Sequence, residues 1–228
     1  MKEKEQILKL RKELSQHNHS YYVLDKPTIT DFEFDIKLKQ LQVLEINYPQ
    51  LFDSSSPTQR VGGEVTKNFE TIVHTQRMYS LDNSYSKEDL MDWEVRLRKM
   101  VDGPIEFTCE LKYDGASISL TYENGLLVQA LTRGDGTQGD NVTANIKTIK
   151  SVPLKLRGNY PSKFEIRGEI VLPFVGFRAL NEEKIAAGEE PYKNPRNTAS
   201  GSLKLQDSTE VARRPLECLL YSIVGENT

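Results

Sequence analysis

Apolar residues recur every three or four positions through the first fifty residues and every second position after residue 104, so the chain falls into two differently patterned regions. In residues 2–24, Ile7, Leu10, Leu14 and His17 form one stripe along an otherwise charged rod, which predicts an amphipathic helix. LDKPT ends it, because Pro27 restrains Lys26 from helical geometry. Thr30 followed by Glu33 is a capping box and predicts a second helix from about Asp31, with Phe34, Leu38, Leu41 and Leu44 on its apolar side. A hairpin of two such helices is expected to need another body to cover its stripes.

DSSSPTQRVGG (53–63) is rich in turn formers, and we place a boundary between residues 66 and 67. Ser86 with Asp89 opens a third helix whose apolar side holds Leu90, Trp93 and Leu97. Beyond Gly103-Pro104, IEFTCELKYD and SISLTYENGLLVQALTR alternate as strands do, the second folded back at Asn124-Gly125. GDNVTANIKTI reads as a helix capped by Asp140, KFEIRGEIVL as a strand, FVGFRALNEEKIAAG as a helix, and LECLLYSIVGENT as a core strand. The predicted fold is α+β: a helical hairpin cap, then a mixed, mainly antiparallel sheet domain.

Composition narrows the class. Of 228 residues, 37% are apolar and 28% charged, which suits a folded soluble protein and excludes a disordered chain. No run is long and apolar enough for a membrane span, and MKEKEQILKLRKEL lacks the apolar core of a signal peptide, so a cytoplasmic location is expected. A net charge of -3 argues against this segment alone being a strong nucleic-acid clamp. Cys109 and Cys218 have no metal-ligand spacing and read as small hydrophobes, without a zinc or other metal site.

TCELKYDGASISL puts one lysine between a glutamate and an Asp-Gly pair. On a strand, Thr108, Glu110 and Lys112 share a face, and Gly115 permits a tight turn after the amine. An amine attacks phosphorus only when unprotonated; burial and a neighbouring cation such as Arg133 favour that form, whereas a carboxylate opposes it. Glu110 is therefore better suited to holding a ligand group. Lys-x-Asp-Gly alone is a weak motif, and an exposed strand lysine is the plain alternative.

Its surroundings add more. CELKYDGASISLTYENGLLVQALTRGDGTQGDNVTANIKTI resembles the lysine-nucleotidyl segment of bacterial NAD-dependent DNA ligases, and KFEIRGEIVL and NPRNTASGSLKLQD are similar to that family's later segments. YYVLDKPTITDFEFD, SPTQRVGG and YSLDN resemble the cap and connector of its NAD-using branch. The likeness runs in order along nearly the whole chain. It implies a nucleotidyltransferase domain behind an NMN-binding cap, with Lys112 as the covalent lysine-AMP and Glu110, Arg133 and Glu169 in the adenosine and ribose-phosphate pocket. Glu169 shares a strand face with Arg167, so a same-face ion pair is its plain alternative.

On the cap, the resemblance implicates Tyr21, Tyr22, Asp31, Phe32, Glu33, Phe34 and Asp35, carboxylates and aromatic faces that suit a positively charged nicotinamide ring. Asp31 also suits the first turn of its helix on charge alone. Phe34 stands where the family usually has tyrosine. Ser80 and Leu81 are placed at the nucleotide, and Arg196 and Lys204 at phosphates or DNA; the family often has arginine at the latter position. His74, like His17 and His19, reads as structural or superficial.

The resemblance implies NAD and Mg2+, a monomer, and nicked double-stranded DNA as partner in replication and repair. Related ligases continue through a further lysine-containing strand of the pocket, an oligonucleotide-binding barrel, a zinc module, helix-hairpin-helix units and a BRCT domain. The chain accordingly reads as C-terminally truncated, expected to bind NAD weakly at best and not to seal nicks alone. Two other readings stay open: an ATP- or GTP-using nucleotidyltransferase, against which the cap speaks, and a non-catalytic remnant of the fold.

Overall fold

The computed structural model describes residues 2–22, 28–60 and 68–224. The boundary expected between residues 66 and 67, Pro27 and the side chains of Tyr21, Tyr22 and Asp31 lie outside the described residues.

Helices α1 (Lys2–Tyr22) and α2 (Asp31–Asn47) form the expected hairpin. Thr30 caps α2 in both directions: its side chain accepts from the Glu33 N–H, and Glu33 accepts from the Thr30 N–H. Contrary to expectation, the apolar stripes close largely on one another. Ile7, Leu10, Leu14 and Leu41 are buried together, with Phe34, Leu38, Tyr48 and Leu51 packed around them. Below this small core, the Glu45 carboxylate accepts from Arg11 Nε at 2.6 Å, Ser56 Oγ at 2.7 Å and Thr58 Oγ1, tying the 3-10 helix Pro57–Arg60 to α2.

After β1 (Thr71–Val73) and α3 (Lys87–Arg98) come β2 (Ala116–Glu123), β3 (Leu126–Thr132), β4 (Gln138–Asp140), α4 (Thr143–Ile146), β5 (Lys163–Val171), α5 (Phe174–Ala186), α6 (Pro195–Leu203), α7 (Ser208–Ala212) and β6 (Glu217–Val224). Four strands pair antiparallel in the order β3-β2-β5-β6, and β1 pairs with β4. The predicted Asn124-Gly125 turn joins β2 to β3, with φ of 49° and 77° as a two-residue hairpin loop requires. Period-two alternation divides the sheet. Ile118, Leu120, Tyr122 and Ile170 face a core shared with Ile146, Leu180, Ala199 and Leu203. Ser117, Ser119, Arg167 and Glu169 take the opposite face, Ser117 standing across from Glu169.

Two further expectations fail. Residues 104–114 form no strand, so Thr108, Glu110 and Lys112 share no strand face. Asp140 does not cap a helix: it lies in β4 opposite Thr71, and α4 is a single turn begun by Val142. β6 follows β5 in the sheet order, and its Leu220, Tyr221 and Ile223 are exposed in this chain.

Two arginines join the helical unit to the sheet unit. Arg60 donates to the Ile149 and Val152 carbonyls at 3.0 and 2.8 Å, and Arg157 to the Ser15 carbonyl at 2.8 Å and Gln16 at 3.0 Å.

Candidate active site

Glu169 organises the site. It projects from the polar face of β5, half-buried, and its Oε1 accepts the Gly115 N–H at 3.1 Å. Burial raises its pKa above the ordinary carboxylate value; the Gly115 N–H and the charges of Lys112, Arg196 and Arg133 pull the other way. One carboxylate thus senses three cations carried by a coil, a helix and a loop. Gly115 is required for close approach rather than for a left-handed turn: a Cβ there would stand 2.1 Å from the Ile170 carbonyl oxygen. Only glycine lets β2 begin against β5 directly after the Lys112 segment.

Arg133 follows β3, its N–H donating to the Ser117 carbonyl at 3.2 Å. Asp135 shapes the loop beyond, its carboxylate accepting from the N–H groups of Thr137 and Gln138 at 2.8 and 2.9 Å; the second, then the first, hold its pKa below the ordinary range. Arg167 makes no pair with Glu169 and donates instead to the Gln76 carbonyl at 2.8 Å. Cys218, one register position from the residue opposite Glu169, is an inert thiol, pushed up to about 12 by burial and then by the Glu169 charge.

Lys112 and Glu110 are exposed in the coil before β2. The coil is fastened by Asp114, which lies 3.2 Å from Arg196 Nε at the start of α6. At the other end of α6, Lys204 lies 2.7 Å from Asp140 Oδ2, so the helix reaches the Lys112 segment with one end and β4, beyond the loop after Arg133, with the other. Sequence reasoning passed over Asp114 and Asp140 as partners, since nothing in their spacing points to residues more than sixty positions away. Ser80 and Leu81 are exposed beyond β1, Leu81 at 75%.

The cap candidates separate. Phe34 turns into the helical core, Glu33 is engaged by Thr30, and Asp35 and Phe32 are exposed, the latter at 74%. Neither of two surface clefts, of 490 Å³ between α1 and residues 50–54 and 200 Å³ beside Asn194 and Asn197, is lined by Lys112, Arg133 or Glu169. No group of three His, Cys, Asp or Glu side chains among the described residues could hold a metal ion. Among them, too, no helix is long and apolar enough to cross a membrane.

An antiparallel sheet whose half-buried glutamate feels the charges of a lysine and two arginines suits a protein acting on phosphate groups. The family model of the NAD-dependent DNA ligase adenylation domain matches residues 66–228, and that of the DNA ligase-like N-terminal NAD+-binding domain matches residues 1–62. The chain belongs to the NAD-dependent DNA ligase family. It is 71% identical over 228 residues to a DNA ligase of Christiangramia forsetii, covering 100% of this chain and 34% of that protein. It is 68% identical over 224 residues to one of Flavobacterium psychrophilum and 53% identical over 225 residues to one of Bacteroides fragilis, each alignment covering 98% of this chain and 34% of the relative. The chain thus spans about a third of the length of these relatives.

Proposed function

We propose that the chain carries the adenylation step of an NAD-dependent DNA ligase, in which the Lys112 Nζ takes AMP from NAD. The observation that carries this reading is the Glu169 carboxylate, half-buried on β5 and accepting the Gly115 N–H at 3.1 Å directly after the Lys112 segment, which Asp114 ties to Arg196. In the step itself a bond forms between Nζ and the adenylyl phosphorus, the bond from that phosphorus to the bridging oxygen breaks, and NMN leaves with that oxygen. The lysine ammonium gives up two of its three protons to solvent around this exchange, one before attack and one after, and keeps the third on the phosphoramidate nitrogen. Such a transfer depends on position and on stabilising charge more than on a strong base. Arg133 and Arg196 would meet the phosphates, and Glu110 and Glu169 the adenosine and ribose hydroxyls, which need acceptors. Ser80 and Leu81 would border the same nucleotide.

The cap would be residues 1–66 and the adenylation domain residues 67–228. On the cap, Tyr21, Tyr22, Asp31, Phe32 and Asp35 would receive the NMN half, carboxylates and ring faces answering the nicotinamide cation. Phe34 and Glu33 would support these from the helical core and the capping box. Mg2+ belongs to the reading as the family's ion, but the described residues offer no metal-holding group, and we derive no step through it. In the complete protein, acting as a cytoplasmic monomer, AMP would pass to the 5'-phosphate of nicked DNA before the phosphodiester forms. Lys204 would contribute a single charge to phosphate or DNA backbone after leaving Asp140.

The test is incubation of the chain with adenylate-labelled NAD, ATP or GTP in separate arms. Label should remain on protein only with NAD and vanish in Lys112→Ala. Transfer from ATP or GTP would point to another class of nucleotidyltransferase, and a folded chain without label or NAD binding to a non-catalytic remnant.

A further inference from the structure

The functional reading gives His74 no part, yet the residue is 7% exposed and its ring touches the site's framework. His74 Nε2 lies 3.1 Å from the carbonyl oxygen of Arg133. A carbonyl only accepts, so Nε2 must carry the proton and donate. Arg133 is thereby gripped on both sides of its backbone, its N–H by the Ser117 carbonyl on β2 and its C=O by this imidazole.

The grip belongs to a wider clasp. The His74 N–H donates to the Thr137 carbonyl and the Met78 N–H to the Gly136 carbonyl, each at 2.9 Å, continuing the β1–β4 pairing along the loop. Gly139 sits where that loop closes on the ring: a Cβ there would lie 3.1 Å from His74 Nε2 and 1.7 Å from the Thr132 carbonyl oxygen. The arm formed by residues 71–78 and the loop of residues 133–139 therefore meet with the imidazole between them. Downstream of the clasp the arm continues to Ser80 and Leu81.

We propose that His74 is a positioning residue whose hydrogen bond to the Arg133 carbonyl fixes the direction in which the Arg133 side chain leaves β3, and so its service to the substrate phosphate. This rests on the reading of Arg133 as a nucleotide contact. A buried histidine that merely fills space would be replaceable by any side chain of similar volume; one acting through its donor would be replaceable only by another donor.

The test compares His74→Gln, which keeps an N–H donor, with His74→Leu, which has none, each alone and with Arg133→Ala. His74→Met replaces the leucine variant should that one not fold. Labelling of the chain is followed against NAD concentration, together with the NMR resonance of the Arg133 Nε–H. Loss of the donor should raise the KM for NAD about tenfold, with glutamine within about threefold of wild type, the scale of one buried hydrogen bond. On the Arg133→Ala background the same loss should add less than about twofold, because the two residues act as one unit. Equal KM values for the leucine and glutamine variants, or an undiminished effect without the Arg133 side chain, would overturn the proposal. If the wild-type chain takes no label, the ligase reading fails for this chain, and the resonance still decides the role of His74. A shift in His74→Leu restored by glutamine supports it; an unmoved resonance refutes it.

Discussion

The two sides of the candidate site are built to different standards. Glu169 and Arg133 stand on or beside strands with ladder partners, over a core in which Ile118, Leu120 and Ile170 are fully buried. Lys112 stands in a coil whose apolar members Phe107 and Leu111 remain 49% and 78% exposed. Residues 105–114 and 163–171 carry the same alternation, yet only the second becomes a strand, because β2 and β6 supply hydrogen bonds on both of its edges. Alternation permits a strand, and pairing with burial makes one. The difference teaches that Glu169 and Arg133 are placed by the sheet, whereas the acceptor amine is placed by contacts at the end of its own segment, Gly115 to Glu169 and Asp114 to Arg196.

The sharpest break of that comparison is Lys112→Ala. Adenylate labelling from NAD should fall to background, while stability to urea stays within about 0.5 kcal/mol of wild type, as for an exposed coil position. Intact-mass measurement and urea unfolding check the two halves. A large loss of stability would mean that the Lys112 segment is structurally joined to the sheet after all.

The next largest effect lies on the other side. Ile118→Ala removes a fully buried side chain between β3 and β5 and should cost about 2–5 kcal/mol, whereas Leu111→Ala should cost less than about 0.5 kcal/mol. Urea midpoints of the pair measure the contrast.

Glu169→Gln tests the junction of the two sides. Because burial raises the folded-state pKa of Glu169, the folded chain holds that proton more tightly than the unfolded chain does. Wild-type stability should therefore fall as pH rises from the ordinary carboxylate range through the raised value, and that loss is fully present above it. Glutamine keeps an acceptor for the Gly115 N–H and does not ionise, so the variant should gain on wild type across this window while labelling drops by about a hundredfold. Thermal melts at several pH values decide it; parallel curves would deny that Glu169 is a desolvated carboxylate.

Local chemistry made much of this fold legible. Both capping boxes, Thr30 with Glu33 and Ser86 with Asp89, form as spaced, because their bonds close within four residues. The Asn124-Gly125 turn forms for the same reason. The misses all concern partners distant in sequence. Asp140 looked like a helix cap, but Thr71 and Lys204 claim it for β4 and an ion pair. Phe34, placed by its spacing on the apolar side of α2, does pack against the core of Ile7, Leu10, Leu14 and Leu41. Lys112 could be picked out beside its Asp-Gly pair, yet its exposure depends on which strand, if any, pairs with residues 104–114, and no local pattern encodes that.

The smallest expected effect separates the two sides most finely. Ser86 caps α3, which precedes the Lys112 segment and has no buried residue; Asn194 caps α6, which buries Thr198, Ala199, Ser202 and Leu203. An N-cap serine or asparagine replaced by alanine costs about 1 kcal/mol wherever it acts. On α6 that loss is transmitted through the packed core, so Asn194→Ala should lower global stability by about 1 kcal/mol. On α3 nothing buried transmits it. Ser86→Ala should leave the urea midpoint in place and speed amide exchange about fivefold within residues 87–98 alone. Equal shifts in global stability would show that α3 and the lysine segment after it share the cooperative unit of the sheet, and the two sides would then have to be treated as one.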